Sequence, residues 1–243
     1  QVIAELLQEK GIKSIAMTYT NNDYGKGLAD AIQSNYEAAG GKVTINAAHE
    51  DGKGDYSAEG AALSQAGGEI LMVVGYLDQG GTGLLQSSLD AGAFSNFFLP
   101  VARIGESLVK AIGPDLDGSI GTVPGTDSKG AEIYAELATK DGFTAGPYSP
   151  EAYDAAALTL LAMQAANSAD SNAAKAKVFE VANAPGTKIL PGELAKGLQI
   201  LKDGGDIDYV GATAVELIGA GESAGSYREI LVKDGKNTTV RYR

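Results

Sequence analysis

Cysteine and tryptophan are absent from the 243 residues, and there is a single histidine, His49. Without cysteine the chain has no thiol nucleophile, zinc–thiolate site, iron–sulfur cluster or disulfide, an absence that is neutral on redox compartment because exported proteins need not carry disulfides. One histidine excludes a metal site built on two or three of them. Positive charge is in the minority: 19 Lys and Arg stand against 31 Asp and Glu, a net charge of −12. A nucleic-acid binder normally shows the opposite balance. No apolar run approaches the ~20 residues of a membrane-spanning helix.

What remains is an ordinary soluble profile, 44% hydrophobic and 21% charged, with 33 glycines scattered without a period. The length suits one large domain or two small lobes. The glycines read as turn and helix-end residues between many short elements. Gln1 is not an initiator Met and no signal-peptide pattern follows it. Val2, Ile3, Leu6 and Leu7 share one helical face. The chain is therefore expected to open inside or just before a helix, as a cut through a longer protein would.

Apolar runs follow at Ile12–Tyr19, Lys42–Ala48, Glu69–Tyr76 and Asn96–Val101, with helix-period stretches at about 25–39, 57–67 and 80–91 between them. Strands alternating with helices at this spacing predict βα units and a parallel sheet. The third run contains Ile-Leu-Met-Val-Val, continuously apolar as a strand covered on both faces must be. A fifth strand is expected near Gly118–Val123. After Pro124 the pattern turns helical: about 128–140, then from Ser149-Pro150-Glu151, read as N-cap, first position and first turn, to about Asn167, then about Ala173–Asn183. Pro185-Gly186 and Pro191-Gly192 bracket an expected turn. From Ala212 the tail reads as strands, with a hairpin around Asp234-Gly235.

Short motifs weigh little. Gly221-Glu222-Ser223-Ala224-Gly225 matches G-x-S-x-G, but a nucleophile elbow needs a helix after the serine and a histidine later in the chain. A strand pattern follows, and His49 comes far earlier. Gly219–Ala224 fits a dinucleotide fingerprint without its helix, Ser107–Lys110 fits S-x-x-K without its partner motifs, and no Walker A motif is present. Asn237-Thr238-Thr239 is a formal glycosylation sequon. His49, in a polar stretch, reads as a solvated loop residue.

The strand ends say more, because ligands of open parallel sheets bind outside the carboxyl ends of the strands. Tyr24, Tyr76 and Arg103 fall on one such rim, with Asn22 and Ala102 beside them. Tyrosine offers an apolar face with a hydroxyl tip, and arginine a fork for a carboxylate. Eleven tyrosines must lie somewhere, and loop tyrosines are common, so the residues alone leave both readings open.

Thr20-Asn21-Asn22-Asp23-Tyr24-Gly25-Lys26-Gly27, Gly40-Gly41-Lys42-Val43, Gly54-Asp55-Tyr56-Ser57-Ala58, Val74-Gly75-Tyr76, Gly118–Pro124, Tyr153-Asp154-Ala155 and Asp206–Ala212 run in a collinear order. That order resembles the branched-chain amino-acid-binding protein family, the type I periplasmic solute-binding proteins of ABC importers. The resemblance implies an α/β fold of two lobes with Rossmann-like parallel sheets, the first lobe incomplete. Residues 1–123 with the C-terminal hairpin of 213–243 would form the second lobe, and 124–212 the returning helical part of the first. A helical half without its strands is expected to expose apolar surface and to pair with another copy.

The implied function is extracytoplasmic binding of a small amino acid or related carboxylate in the interlobe cleft. Delivery would be to an importer permease, with no enzymatic step, cofactor or metal. Periplasmic localisation rests on the resemblance. Tyr24 and Tyr76 fall on ligand-contacting positions, whereas Pro100-Val101-Ala102-Arg103 stands where the leucine-type proteins carry an acid, so Arg103 points to a ligand with an acidic group. The alternatives are a cytoplasmic amide sensor or receptor domain of the same fold, and a serine esterase using Ser223.

Overall fold

The computed structural model describes residues 1–100, 108, 111–146, 148–219 and 222–243. The chain divides into two compact units, the first of Gln1–Val123 with Arg228–Arg241 and Arg243, the second of Pro124–Tyr227 with Tyr242.

The first unit opens with α1 (Val2–Glu9), then alternates β1 (Ser14–Thr20), α2 (Asp23–Ala38), β2 (Lys42–His49), α3 (Ser57–Ala66), β3 (Ile70–Val74), α4 (Thr82–Asp90), β4 (Phe97–Pro100) and β5 (Ile120–Pro124). Near the chain end, β10 (Tyr227–Lys233) and β11 (Lys236–Tyr242) complete a seven-stranded sheet of order β11-β10-β5-β4-β3-β1-β2. The pairs β1–β2, β1–β3, β3–β4 and β4–β5 are parallel, as the strand–helix alternation requires.

Side chains of a strand alternate between sheet faces, and the central strands feed two separate cores. Ile15, Met17, Ile70, Met72 and Val74 pack with Leu6 and Leu7 of α1 and Ala29, Ile32 and Tyr36 of α2. Ala16, Leu71 and Val73 pack on the other face with Leu63 of α3 and Leu84 and Leu85 of α4. Each large apolar side chain so buried stabilises the fold by about 1.5–3 kcal/mol.

Ion pairing fastens the C-terminal strands to α1. Glu229 of β10 is buried and meets Lys10 at 2.9 Å, Arg241 at 2.9 Å and Arg243 at 3.3 Å, while Arg241 and Arg243 also reach Glu9. Burial works against the Glu229 charge, and the three cations outweigh it, so the carboxyl stays below its ordinary range.

The second unit holds α5 (Lys129–Lys140), α6 (Ser149–Ala166), α7 (Ser171–Lys175), α8 (Val178–Ala182), β6 (Thr187–Ile189), α9 (Leu194–Lys202), β7 (Ile207–Tyr209), β8 (Leu217–Gly219) and β9 (Glu222–Ser223). Three expectations from the sequence differ from the structure, and one helix was not expected. Ser149 is not the N-cap of α6: Tyr148 holds that place in a left-handed conformation, and the Ser149 hydroxyl instead accepts from the Gly146 amide at 3.0 Å. The helix expected over 173–183 is two short helices, parted where Lys177 N–H bonds back three residues to Ala174 at 2.9 Å. The segment between the two Pro-Gly pairs is strand β6, parallel to β7, and a Cβ on Gly186 would stand 2.3 Å from the Ile207 backbone. Gly186 thus serves close strand approach. Helix α9 had no counterpart among the expected elements.

One carboxylate organises this unit. Asp154 of α6 is buried and accepts four hydrogen bonds: from Tyr209 Oη, Ala212 N and Thr213 N, each at 2.8 Å, and from Thr213 Oγ1 at 2.6 Å. Burial first, and then the Asp154 charge, raise the Tyr209 hydroxyl far above the ordinary tyrosine range, so Tyr209 stays a donor. Asp154→Ala strands two amides and two hydroxyls and is expected to lower stability by about 3 kcal/mol or more. Tyr209→Phe, which removes one donor, costs about 1–2 kcal/mol. Urea unfolding followed by circular dichroism checks the order; equal losses from both variants would refute it.

Candidate functional site

The carboxyl ends of β1 and β3 bring two tyrosines together. After β1, Asn22 caps α2 by accepting from the Gly25 amide at 2.8 Å, which sets Tyr24 in the first turn. After β3, Gly75 at φ 149° turns the chain into Tyr76. Both glycines close on Thr20: a Cβ on Gly25 would lie 2.1 Å from the Thr20 carbonyl oxygen, and one on Gly75 would lie 2.9 Å from the Thr20 Cβ. The absence of side chains at 25 and 75 therefore lets the turns converge. The Tyr24 and Tyr76 ring centroids are 5.6 Å apart with planes inclined by 34°, and both residues are 40% exposed. Burial and then the neighbouring Tyr76 raise the Tyr24 hydroxyl above its ordinary value, so it is a neutral donor at physiological pH. The result is an open aromatic shelf with hydroxyl tips.

Of the rim residues expected from sequence, Tyr24 and Tyr76 meet on this shelf and Asn22 lies just before it, its side-chain oxygen committed to the cap. Ala102 and Arg103 lie outside the described residues, as do Ser107 and Lys110.

Beneath the shelf lies a polar cluster the sequence reading missed. His49 is not in a solvated loop: it is the last residue of β2 and 2% exposed, paired in register with Thr20 of β1. Its Nδ1 is 2.9 Å from the Thr18 hydroxyl, and its ring stands edge-on to Tyr56 at 6.4 Å. Nε2 faces Asp51 Oδ1 at 3.8 Å, and neither of those two atoms has a hydrogen-bond partner among the described residues. The Thr20 hydroxyl donates to the other Asp51 oxygen. Extending the second strand by one residue places His49 on its buried end, but the polar run that follows it hides the signal.

Ser223 is exposed on β9, and the chain leads on to strand β10 instead of a helix, so the nucleophile-elbow geometry is not met. A groove of ≈ 500 Å³ between α3 and α4 is bordered by Asp55 and Asp90, which accept from Ser57 and Gln86 respectively. Among the described residues, no three His, Asp or Glu side chains are grouped to hold a metal ion, and no helix is long and apolar enough to cross a membrane.

The family model of the periplasmic binding proteins matches residues 1–190. The chain belongs to that family. Leu/Ile/Val-binding protein homolog 1 of Brucella melitensis is 32% identical over 161 residues, a stretch covering 65% of this chain and 42% of that protein. The leucine-, isoleucine-, valine-, threonine- and alanine-binding protein of Pseudomonas aeruginosa is 28% identical over 176 residues, 69% of this chain and 47% of that one. The chain thus matches less than half the length of these curated relatives. Among solved structures, the leucine-binding protein LivK of Thermotoga maritima superposes with a TM-score of 0.76 at 17% identity, over 99% of this chain and 63% of that chain. A type 1 periplasmic binding protein of Bordetella pertussis gives 0.74 at 16% identity, over 98% and 64%. The fold is that of the type I periplasmic binding proteins.

The buried imidazole makes acid stability a direct readout of this cluster. Burial, the largest influence, lowers the basicity of His49, while Asp51, Glu59 and Glu50 raise it; the net direction is down. The unfolded chain, with a histidine pKa of about 6.5, therefore takes up the proton before the folded one does. The contribution of His49 is complete above about pH 6.5 and is lost as the pH falls below it. Thermal unfolding from pH 8 to pH 5 is expected to show this decline, and His49→Gln to flatten it. An identical slope in the variant would assign the decline to other groups.

Proposed function

We propose that this chain is the extracytoplasmic solute-binding part of an ABC importer, taking a small amino acid or related carboxylate and presenting it to a permease. The observation that carries the proposal is the Tyr24–Tyr76 shelf at the carboxyl ends of two parallel strands, in a chain of the periplasmic binding protein family. The curated relatives are named for binding leucine, isoleucine and valine. On this reading residues 1–123 with the C-terminal hairpin form the lobe that bears the shelf, and 124–212 the returning part of the other lobe. Binding is non-enzymatic: the ligand favours one conformation over another by making better contacts in it.

Arg103 belongs to the proposal on sequence grounds. A guanidinium at this rim favours a carboxylate over an ammonium, which points to a ligand with an acidic group beyond that of leucine. A thermal-shift panel of leucine, isoleucine, valine, glutamate, hydroxybenzoate and short dicarboxylates tests this, since a ligand at 100 times its Kd adds about 2.7 kcal/mol to stability. A shift with acids alone supports the Arg103 assignment. A shift with leucine keeps the binding reading and rejects that assignment; no shift with any member of the panel counts against both. With the ligand found, Arg103→Ala is expected to weaken binding by about 2 kcal/mol or more, and Tyr24→Ala and Tyr76→Ala by about tenfold each. Unchanged affinity in the tyrosine variants would remove the shelf from the site.

Self-association through the second unit is part of the same proposal. Phe143, Leu160, Phe179 and Ile218 are large apolar side chains exposed there, and on this reading a second copy would cover them. Sedimentation equilibrium at micromolar concentration is expected to show a dimer that Leu160→Lys weakens; a monomer at all concentrations would refute it.

A further inference from the structure

Linked to the shelf through Thr20 is a buried pair of polar atoms that lack hydrogen-bond partners among the described residues. His49 Nε2 and Asp51 Oδ1 face each other at 3.8 Å, too far for a hydrogen bond, and each is buried without a partner among the described residues. The His49 side chain is fully buried and that of Asp51 24% exposed. Leaving a buried polar group unsatisfied is costly; with the neutral ring's proton on Nδ1, Nε2 and Oδ1 are both acceptors, and one added proton satisfies the two together. Protonated Nε2 becomes a charged donor, and an imidazolium–carboxylate contact closes to about 2.8 Å.

The movement has a path to the surface. Asp51 Oδ2 accepts from the Thr20 hydroxyl, and Thr20 is the residue against which Gly25 and Gly75 pack so closely that neither tolerates a Cβ. Tyr24 precedes the first of those glycines and Tyr76 follows the second. On the far side, His49 is held by Thr18 through Nδ1, so the ring is anchored and Asp51 is the member that moves. Gly80 stands against Asp51, where a Cβ would be 3.1 Å from Oδ1, so position 80 leaves the carboxylate room to move.

The charged surroundings set the sign. Asp51 and Glu50 follow β2, and Glu59 comes from α3; all three favour the protonated ring. Lys53 is paired with Glu59 and lies 5.7 Å above the Tyr56 ring. Thr18 and Thr20 from β1 and Gly80 from the turn after β3 bring no charge. Burial opposes the proton and three carboxylates invite it, an arrangement suited to switching under mild acid and not to permanent pairing.

We propose that His49 and Asp51 form a proton-operated latch: a proton on His49 draws Asp51 and Thr20 inward and resets the spacing of Tyr24 and Tyr76. The consequence for affinity rests on the shelf being the ligand's landing place. The latch itself can be tested without ligand, so the two ideas fail separately.

The test is a nuclear magnetic resonance titration of the ligand-free, isotope-labelled protein from pH 8 to 4.5. It follows the imidazole of the chain's one histidine together with the amides of Thr20, Tyr24 and Tyr76. The expected result is a common midpoint for the imidazole and the three amides. Asp51→Asn should lower the imidazole midpoint by about half a pH unit or more, and His49→Gln should abolish the amide titration in that range. The latch is overturned if the imidazole titrates while the Tyr24 and Tyr76 amides stay still, or if His49→Gln leaves their titration in place. Unfolding of the wild-type chain before His49 takes up its proton overturns it equally. If Asp51→Asn does not fold, the wild-type and His49→Gln titrations decide alone.

Discussion

A parallel strand enclosed by helices on both sides has no face left for water, and the rest of the first unit follows from that constraint. All five residues of β3 are buried, and its neighbours β1 and β4 are nearly so. Polar chemistry is thereby driven to the strand ends. At the carboxyl ends the chain must leave the sheet through short turns into helices, and those turns carry the side chains that remain free to meet a ligand. The shelf is thus a consequence of the sheet: Gly25 and Gly75 are bare because two turns leave adjacent strands over the same threonine, and the two tyrosines flank the crowded point, Tyr24 just before Gly25 and Tyr76 just after Gly75.

Three buried ionisable groups show three solutions to one problem. Asp154 is satisfied by neutral donors, two of them backbone amides, which fixes the geometry of a loop against a helix without any counter-charge. Glu229 is satisfied by cations and so ties distant parts of the chain together, a linkage that breaks strongly if one partner is removed because the other charges stay behind. His49 is only half satisfied. It bonds on one edge and faces an equally unpaired carboxylate oxygen on the other. A ring held in that state gains a partner when it takes up a proton, which sets His49 apart from the two carboxylates.

How much of this was legible in the sequence depended on whether the signal was local. The four strands and the three helices between them could be read because continuous apolar runs and helix-period stretches alternate at regular spacing, and the strands at Ser14, Lys42, Ile70 and Phe97 begin within two residues of expectation. Tyr24 and Tyr76 were legible as rim residues because strand ends locate the rim. Nothing local announced that their rings meet, nor that Thr20, Asp51 and His49 converge beside them, because those contacts join segments some thirty to fifty residues apart in a register that only the folded sheet supplies. Ser149 misled for a related reason: its hydroxyl has an acceptor role in a preceding turn that competes with capping. Strand β6 was hidden because Pro-Gly pairs usually mark turns, whereas here the glycine makes room for a neighbouring backbone.

The sheet order carries a consequence for biosynthesis. β5 lies between β4 and β10, yet roughly a hundred residues separate it from β10 along the chain, and at ~5–20 residues per second they take roughly 5–20 s to synthesise. For that interval the emerging first unit has a parallel sheet with its β5 edge unpaired, and Ile230 and Val232 are not yet present to complete the core beside it. An open edge of apolar strand is a template for wrong pairing. The nascent chain must therefore pass through a stage in which its most ordered part is also its most adhesive.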